Sequence, residues 1–121
     1  KVVPRTVMIR NLPAHLSQDT IVKELQADGF AGRFDFCYCP PRSFQTGGCK
    51  GFAFVNFTTE EAAQAFAEAW HGSHRFNVDQ SRPSLNVTAA EIQGREANLA
   101  RMGMKQISRI RNPRFAPFVR D

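Results

Sequence analysis

The sequence predicts an α+β fold in the order β-α-β-β-α-β: four antiparallel strands, two helices on one face of the sheet, and a helical extension at the C-terminus. Three observations predict it. Four β-rich segments are interleaved with two stretches whose apolar residues recur at helical spacing. Hydroxyl residues able to cap a helix stand at the head of both stretches. The segment "KGFAFVNF", Lys50 to Phe57, carries aromatic residues on both of its faces, as a strand with two partnered sides would.

The elements follow in order. "TVMIRNL", Thr6 to Leu12, is β-rich and stopped by Pro13. Ser17 caps a helix from about Gln18 to Asp28, with Ile21, Val22 and Leu25 as its inward stripe and Gly29 as its end. "RFDFCYC", Arg33 to Cys39, is a second strand closed by Pro40 and Pro41; Phe34, Phe36 and Tyr38 are assigned to its core face, Cys37 and Cys39 to the other. The loop "PPRSFQTGG" leads into the third strand, Lys50 to Phe57. Thr58 and Glu61 form a capping box for a second helix, in which Ala62, Ala63, Phe66 and Trp70 recur as far as Gly72. A polar stretch from Ser73 to Pro83 precedes the fourth strand, "SLNVTAA". The order is that of the ferredoxin-like split βαβ sandwich. Residues 1–5 read as a lead-in, 6–94 as the domain and 95–121 as a basic extension, a short helix followed by a flexible or extended tail.

Side-chain alternation on the third strand puts Gly51, Ala53, Val55 and Phe57 inward. Lys50, Phe52, Phe54 and Asn56 are then left facing outward, two phenylalanines between a lysine and an asparagine. On the first strand Val7 and Ile9 face the helices, so Thr6, Met8 and Arg10 share the open side. A contiguous apolar patch on a soluble protein marks either a contact surface or a covered one. The paired phenylalanines are therefore either a binding platform or a surface buried under the C-terminal extension.

Bulk properties narrow the partner. A chain of 121 residues, 42% hydrophobic and 22% charged, suits one globular domain. No apolar run reaches the length of a membrane span, so no membrane partner is expected. Three cysteines, an odd number, fit a reducing compartment, cytoplasm or nucleus, and a start at Lys1 suggests a piece of a longer protein. Residues 1–91 carry 9 basic and 9 acidic residues, whereas residues 92–121 carry 7 basic and 2 acidic. A neutral body with a basic tail is an arrangement suited to a polyanion, although many such tails are simply solvated.

"KGFAFVNF" resembles at every position the signature octapeptide of the RNA recognition motif, on the third strand where that family carries it. "VMIRNL", Val7 to Leu12, is similar to the family's companion hexapeptide, with Met8 in place of the usual aromatic residue. The stretches "TVMIRNLP", "GFAGRFDFCYCP", "GFAFVNFTTEEAA", "HGSHRFN" and "VTAAEIQGREANLA" resemble the C-terminal RNA recognition motif of the Mei-two-like meiosis regulators. Cys39 and Ala89 depart from that branch, which usually has a large aliphatic residue at the first place and often an aromatic at the second.

The resemblance implies single-stranded RNA as partner, with other proteins of a ribonucleoprotein complex beside it, a monomeric domain and no cofactor. It implies that Phe52 stacks a base, Phe54 contacts a base or the riboses between two, and Lys50 pairs with a phosphate. Met8 can pack against a base without stacking fully, having no ring. Arg10 shares this face. Asn56, Asn86, Thr88 and the backbone around Ala90 are placed either to bond base edges or as ordinary polar groups of a wet sheet. Arg42 and Lys50 bracket the loop between the second and third strands with no acid between them, so this loop either touches the RNA backbone or is a plain turn.

The extension "EIQGREANLARMGMKQ" places Ile92, Leu99, Ala100 and Met102 on one side of a short helix. It braces the body, lies across the sheet, or adds phosphate contacts through Arg95, Arg101, Lys105, Arg109 and Arg111. The competing function is a protein-interaction module whose sheet the helix covers. Catalytic and metal readings are weak. Cys37, Cys39, His71 and His74 lack structural-zinc spacing, and no third group completes a Cys/His nucleophile. The expectation is no enzyme and no metal.

Overall fold

The computed structural model describes residues 4–76, 79, 81–103, 110 and 112–120. Its elements are β1 (Thr6–Arg10), α1 (Gln18–Leu25), β2 (Phe34–Tyr38), β3 (Phe52–Phe57), α2 (Glu60–Trp70), β4 (Asn86–Ala89), α3 (Arg95–Met102) and β5 (Phe118–Val119). All neighbours in the sheet are antiparallel, in the order β4-β1-β3-β2-β5. The expected four strands form its body. The fifth is contributed by the end of the chain, which pairs with the free edge of β2 and removes an open strand edge.

The helices start where local chemistry dictates. Ser17 accepts from the N–H of Thr20, and the chain leaves the α1 region through a wider turn, Gln26–Phe30, in which Gly29 adopts φ 95°. The cap of α2 is Thr59, one residue later than the capping box predicts: its hydroxyl accepts from Ala62 N–H at 3.1 Å. Thr58 is drawn instead to the Arg33 carbonyl, to which both its N–H and its hydroxyl donate.

The core lies between one sheet face and the two helices. Ile9, Ala53, Val55 and Phe57 of the central strands meet Ile21, Leu25, Phe66 and Trp70, all fully buried. Rings tile this layer, with Phe57 and Phe66 centred 4.9 Å apart and Phe66 and Trp70 4.6 Å apart.

Strand β2 departs from the predicted alternation. Phe34 faces the core opposite Phe57, but Asp35 and Phe36 together oppose Asn56, a β-bulge that inserts one residue and exchanges the faces beyond it. Cys37 and Cys39 therefore join the core, while Phe36 and Tyr38 turn to the open face, the reverse of the assignment made from strict alternation. Residues 112–120 of the tail are held against the body, and Phe118–Val119 are extended as a strand. Phe118 stacks on Phe34 at 5.3 Å, Arg120 N–H donates to Asp35 O, and the Gln18 side chain bridges Cys39 N–H and the Ala116 carbonyl.

Candidate nucleic-acid interface

The open face of the sheet is organised in rows fixed by strand register. Asn86, Arg10 and Phe52 form one row, and Thr88, Met8, Phe54 and Tyr38 the next. Phe52 and Phe54 meet edge to face with centroids 5.7 Å apart, and both remain half-buried, so part of each ring is open. Met8 is half-buried beside Phe54, while Arg10, Lys50 and Thr88 are exposed. Tyr38 adds an aromatic group that the sequence placed in the core. Its phenol is raised above the ordinary value by burial and then by Cys39, so its hydroxyl stays protonated and able to donate.

The third row is closed. Asn56 is buried, not presented to solvent: its Oδ1 accepts from the Thr6 hydroxyl at 2.6 Å and its Nδ2 donates to Asp35 at 2.8 Å. Ala90 is buried as well, with its N–H given to the Thr6 carbonyl and its own carbonyl accepting from Gln93. Both residues are thus engaged within the sheet rather than exposed on its open face. Asn86 is half-buried, and its Oδ1 is a shielded acceptor without a partner among the described residues.

Gln93 is the residue that sequence reasoning missed. Its Oε1 accepts from the N–H groups of Arg5 and Thr6, and its Nε2 donates to the carbonyls of Thr6 and Ala90. One side-chain amide thus satisfies four main-chain groups at the sheet end, and Gly94 N–H adds a bond to the Thr6 hydroxyl. These contacts launch α3 across that end of the open face. The buried residue of α3 is Asn98, whose Nδ2 caps the carbonyls of Ile92 and Gly94, while Ala100, predicted on the apolar side, is exposed.

Between α3 and the sheet runs a cleft of about 590 Å³, with Met8, Phe36, Tyr38 and Phe54 on one side and Ile92 and Met102 on the other. Phe36 is 1% exposed although it lies on the open face. Gln93 and Gly94 thus tie the chain to one end of the sheet, and α3 walls a cleft, with Phe52 and Phe54 left partly open.

The candidate phosphate contacts separate into three kinds. Lys50 and Arg10 are exposed beside the platform, Arg42 is exposed in the β2–β3 loop near Gly48, and Arg101 is exposed at the rim of the cleft. Arg95 is engaged within the protein, paired with Glu96 at 2.7 Å and bonded to the Arg120 carbonyl. Lys105, Arg109 and Arg111 lie outside the described residues. Elsewhere, His71 Nδ1 accepts from Val87 N–H and His74 Nε2 meets the Arg82 carbonyl, so the two histidines serve the loop behind the sheet.

Residues 4–103 match the family model described as RNA recognition motif 2. The chain belongs to that family. Among RNA recognition motifs it is most like those of MEI2-like proteins. It is 31% identical over 118 residues to Protein MEI2-like 7 of Oryza sativa subsp. japonica, a match covering 81% of this chain and 30% of that protein. It is 35% identical over 106 residues to Protein terminal ear1 of Zea mays, covering 76% of this chain and 16% of that protein. The chain thus spans less than a third of the length of these curated relatives. In fold this RNA recognition motif is similar to the Rna15 RRM with bound RNA (GU), at TM-score 0.60, 19% identity and coverage of 81% and 96% of the two chains. It is also similar to the Sxl-lethal protein/RNA complex, at TM-score 0.56, 22% identity and coverage of 76% and 50%.

Proposed function

We propose that this RNA recognition motif binds single-stranded RNA on the open face of its sheet. The observation that carries the reading is the pair Phe52 and Phe54, edge to face and partly open, between exposed Lys50 and Arg10. Base stacking on such rings supplies about 1–3 kcal/mol per base in single-strand binders, and cations beside them meet the backbone. Phe52 takes one base on its face. Phe54, with Met8 and Tyr38 in its row, takes the next base at the mouth of the α3 cleft. Thr88 and Asn86 supply the side chains nearest the base edges on β4, since Asn56 is committed to Thr6 and Asp35.

The same reading extends to the parent protein. Its likeness to MEI2-like proteins supports a regulator of meiosis or development that acts through bound transcripts, in the nucleus or in cytoplasmic ribonucleoprotein particles, this domain acting as a monomer without catalysis. The test is fluorescence anisotropy of a labelled single-stranded RNA pool, with a Phe52→Ala/Phe54→Ala variant whose folding is verified. The intact domain should bind and the variant lose at least tenfold in affinity. Equal binding by both, or none by either, assigns the rings to packing or protein contact instead.

A further inference from the structure

Two of the three cysteines form a pair that the RNA reading does not use. Cys39 follows β2 and Cys49 precedes Lys50, so they stand at the two ends of the β2–β3 loop. Their Sγ atoms lie 3.1 Å apart, both residues are buried, and both are free thiols. The backbone holds them there independently. Cys39 N–H donates to Gln18 Oε1, Cys49 N–H donates to the Ala14 carbonyl, and Lys50 N–H closes the loop on the Pro40 carbonyl. At Gly48, with φ 83°, an added Cβ would come 3.0 Å from that same Ala14 oxygen, so the turn that delivers Cys49 requires glycine.

We propose that Cys39 and Cys49 form a reversible disulfide that responds to hydroperoxide and staples the β2–β3 loop beside the platform. A disulfide needs its sulfurs about 2 Å apart, so closure asks for a movement of only about 1 Å. Cys49 is the nucleophile. Its sulfur accepts from the Cys39 thiol and from Gly51 N–H at 3.2 Å, and these bonds bring its pKa down to about 7. Cys39 is shifted upward by the same thiol hydrogen bond and by burial, and keeps its proton. A cavity of about 300 Å³, lined by Thr46, Gly47, Gly48 and Cys39, opens beside the pair on its Cys39 side.

The chemistry balances with a hydroperoxide as oxidant. The Cys49 thiolate attacks one peroxide oxygen, the O–O bond breaks, and the departing oxygen takes a proton and leaves as water or alcohol. The resulting sulfenic acid is attacked by the Cys39 sulfur; the S–O bond breaks, the S–S bond forms, and the thiol proton leaves with the hydroxyl as water. The two thiols together give up two electrons to the peroxide. Cys37 takes no part: buried in the core, it is pushed up to about 12 by desolvation and remains an inert thiol.

The test treats the reduced 121-residue chain with hydrogen peroxide, traps remaining thiols with N-ethylmaleimide after unfolding, and maps the peptides by mass. The expected product has lost two hydrogens, links Cys39 to Cys49, leaves Cys37 as the alkylated residue, and reverts with dithiothreitol. Its rate should rise as pH passes through about 7, and its thermal midpoint should exceed that of the reduced form by several degrees, since a cross-link restricts the unfolded chain. A Cys37→Ala variant should form the same link. Three alkylated thiols after treatment, or a link that includes Cys37, would overturn the proposal.

Discussion

The Thr6 hydroxyl donates to Asn56 Oδ1 at 2.6 Å across β1 and β3, on the face of the sheet that otherwise carries the binding platform. Gly94 N–H donates to the same hydroxyl, and Asp35 receives the Asn56 amide. One end of the open face is thus tied by a polar chain, buried at Thr6 and Asn56, running from β2 through β3 and β1 to the start of α3. Partly satisfied buried networks are costly, so each link depends on the others.

Asn56→Ala is accordingly a stability variant. It leaves the Thr6 hydroxyl without its acceptor in a residue of 0% exposure, and should cost about 1–3 kcal/mol in urea unfolding. Affinity for RNA, measured under conditions where the variant is folded, should change little because the Asn56 amide is buried and already bonded to Thr6 and Asp35. An intact unfolding curve together with lost RNA binding would restore Asn56 to the site.

Gln93 holds the same end from outside the sheet. Gln93→Ala removes the acceptor of Arg5 and Thr6 N–H and the donor to the Thr6 and Ala90 carbonyls. We expect a loss of about 1–2 kcal/mol and faster amide exchange at Arg5 and Thr6 than in the parent. Unchanged protection at those two amides would mean that the glutamine does not anchor the extension.

These two residues mark where the sequence was legible and where it was not. The β1 and β3 faces followed from alternation because neither strand is interrupted, which placed Met8, Arg10, Phe52 and Phe54 correctly. On β2 the same rule failed, since the bulge at Asp35 and Phe36 adds a residue without any compositional mark and moves Phe36 and Tyr38 to the other face. Asn56 sat on the predicted face, but its burial goes with Thr6, fifty positions away in sequence, and with a helix start beyond the fourth strand. Two adjacent threonines made the α2 cap ambiguous by one residue. The two-residue β5, beside Pro117, is too short to show periodicity, and only the free edge of β2 makes it a strand.

Ending the chain after Pro117 tests that edge. Phe118 loses its contact with Phe34, Asp35 loses the Arg120 N–H, and β2 becomes an open edge. Removing a half-buried phenylalanine and its strand pairing should cost about 2 kcal/mol. Unfolding of the truncated chain should shift to lower denaturant, with β2 amides exchanging faster; coincident curves would show β5 to be dispensable.

Met8→Phe probes the first-strand position directly. Met8 lies between Thr88 and Phe54 in its row, half-buried, where a ring can extend the aromatic surface. Stacking is worth about 1–3 kcal/mol per base and methionine already supplies part of it, so a gain of about fivefold in affinity is expected by anisotropy. A folded Met8→Phe protein that binds no better would indicate that no base reaches β1.

Salt separates phosphate contacts from stacking. For single strands the logarithm of affinity falls with that of salt concentration by about 0.7 per phosphate neutralised. Lys50 is exposed at the head of the aromatic strand, so Lys50→Ala should weaken all RNA sequences alike and reduce that slope by about 0.7. Arg95→Ala is the contrast, because its guanidinium is already bonded to Glu96 and to the Arg120 carbonyl. It should leave the slope unchanged while lowering stability slightly. If the two variants exchange these behaviours, the backbone of the RNA passes over α3, and the path across the platform drawn from Phe52 and Phe54 must be turned toward the extension.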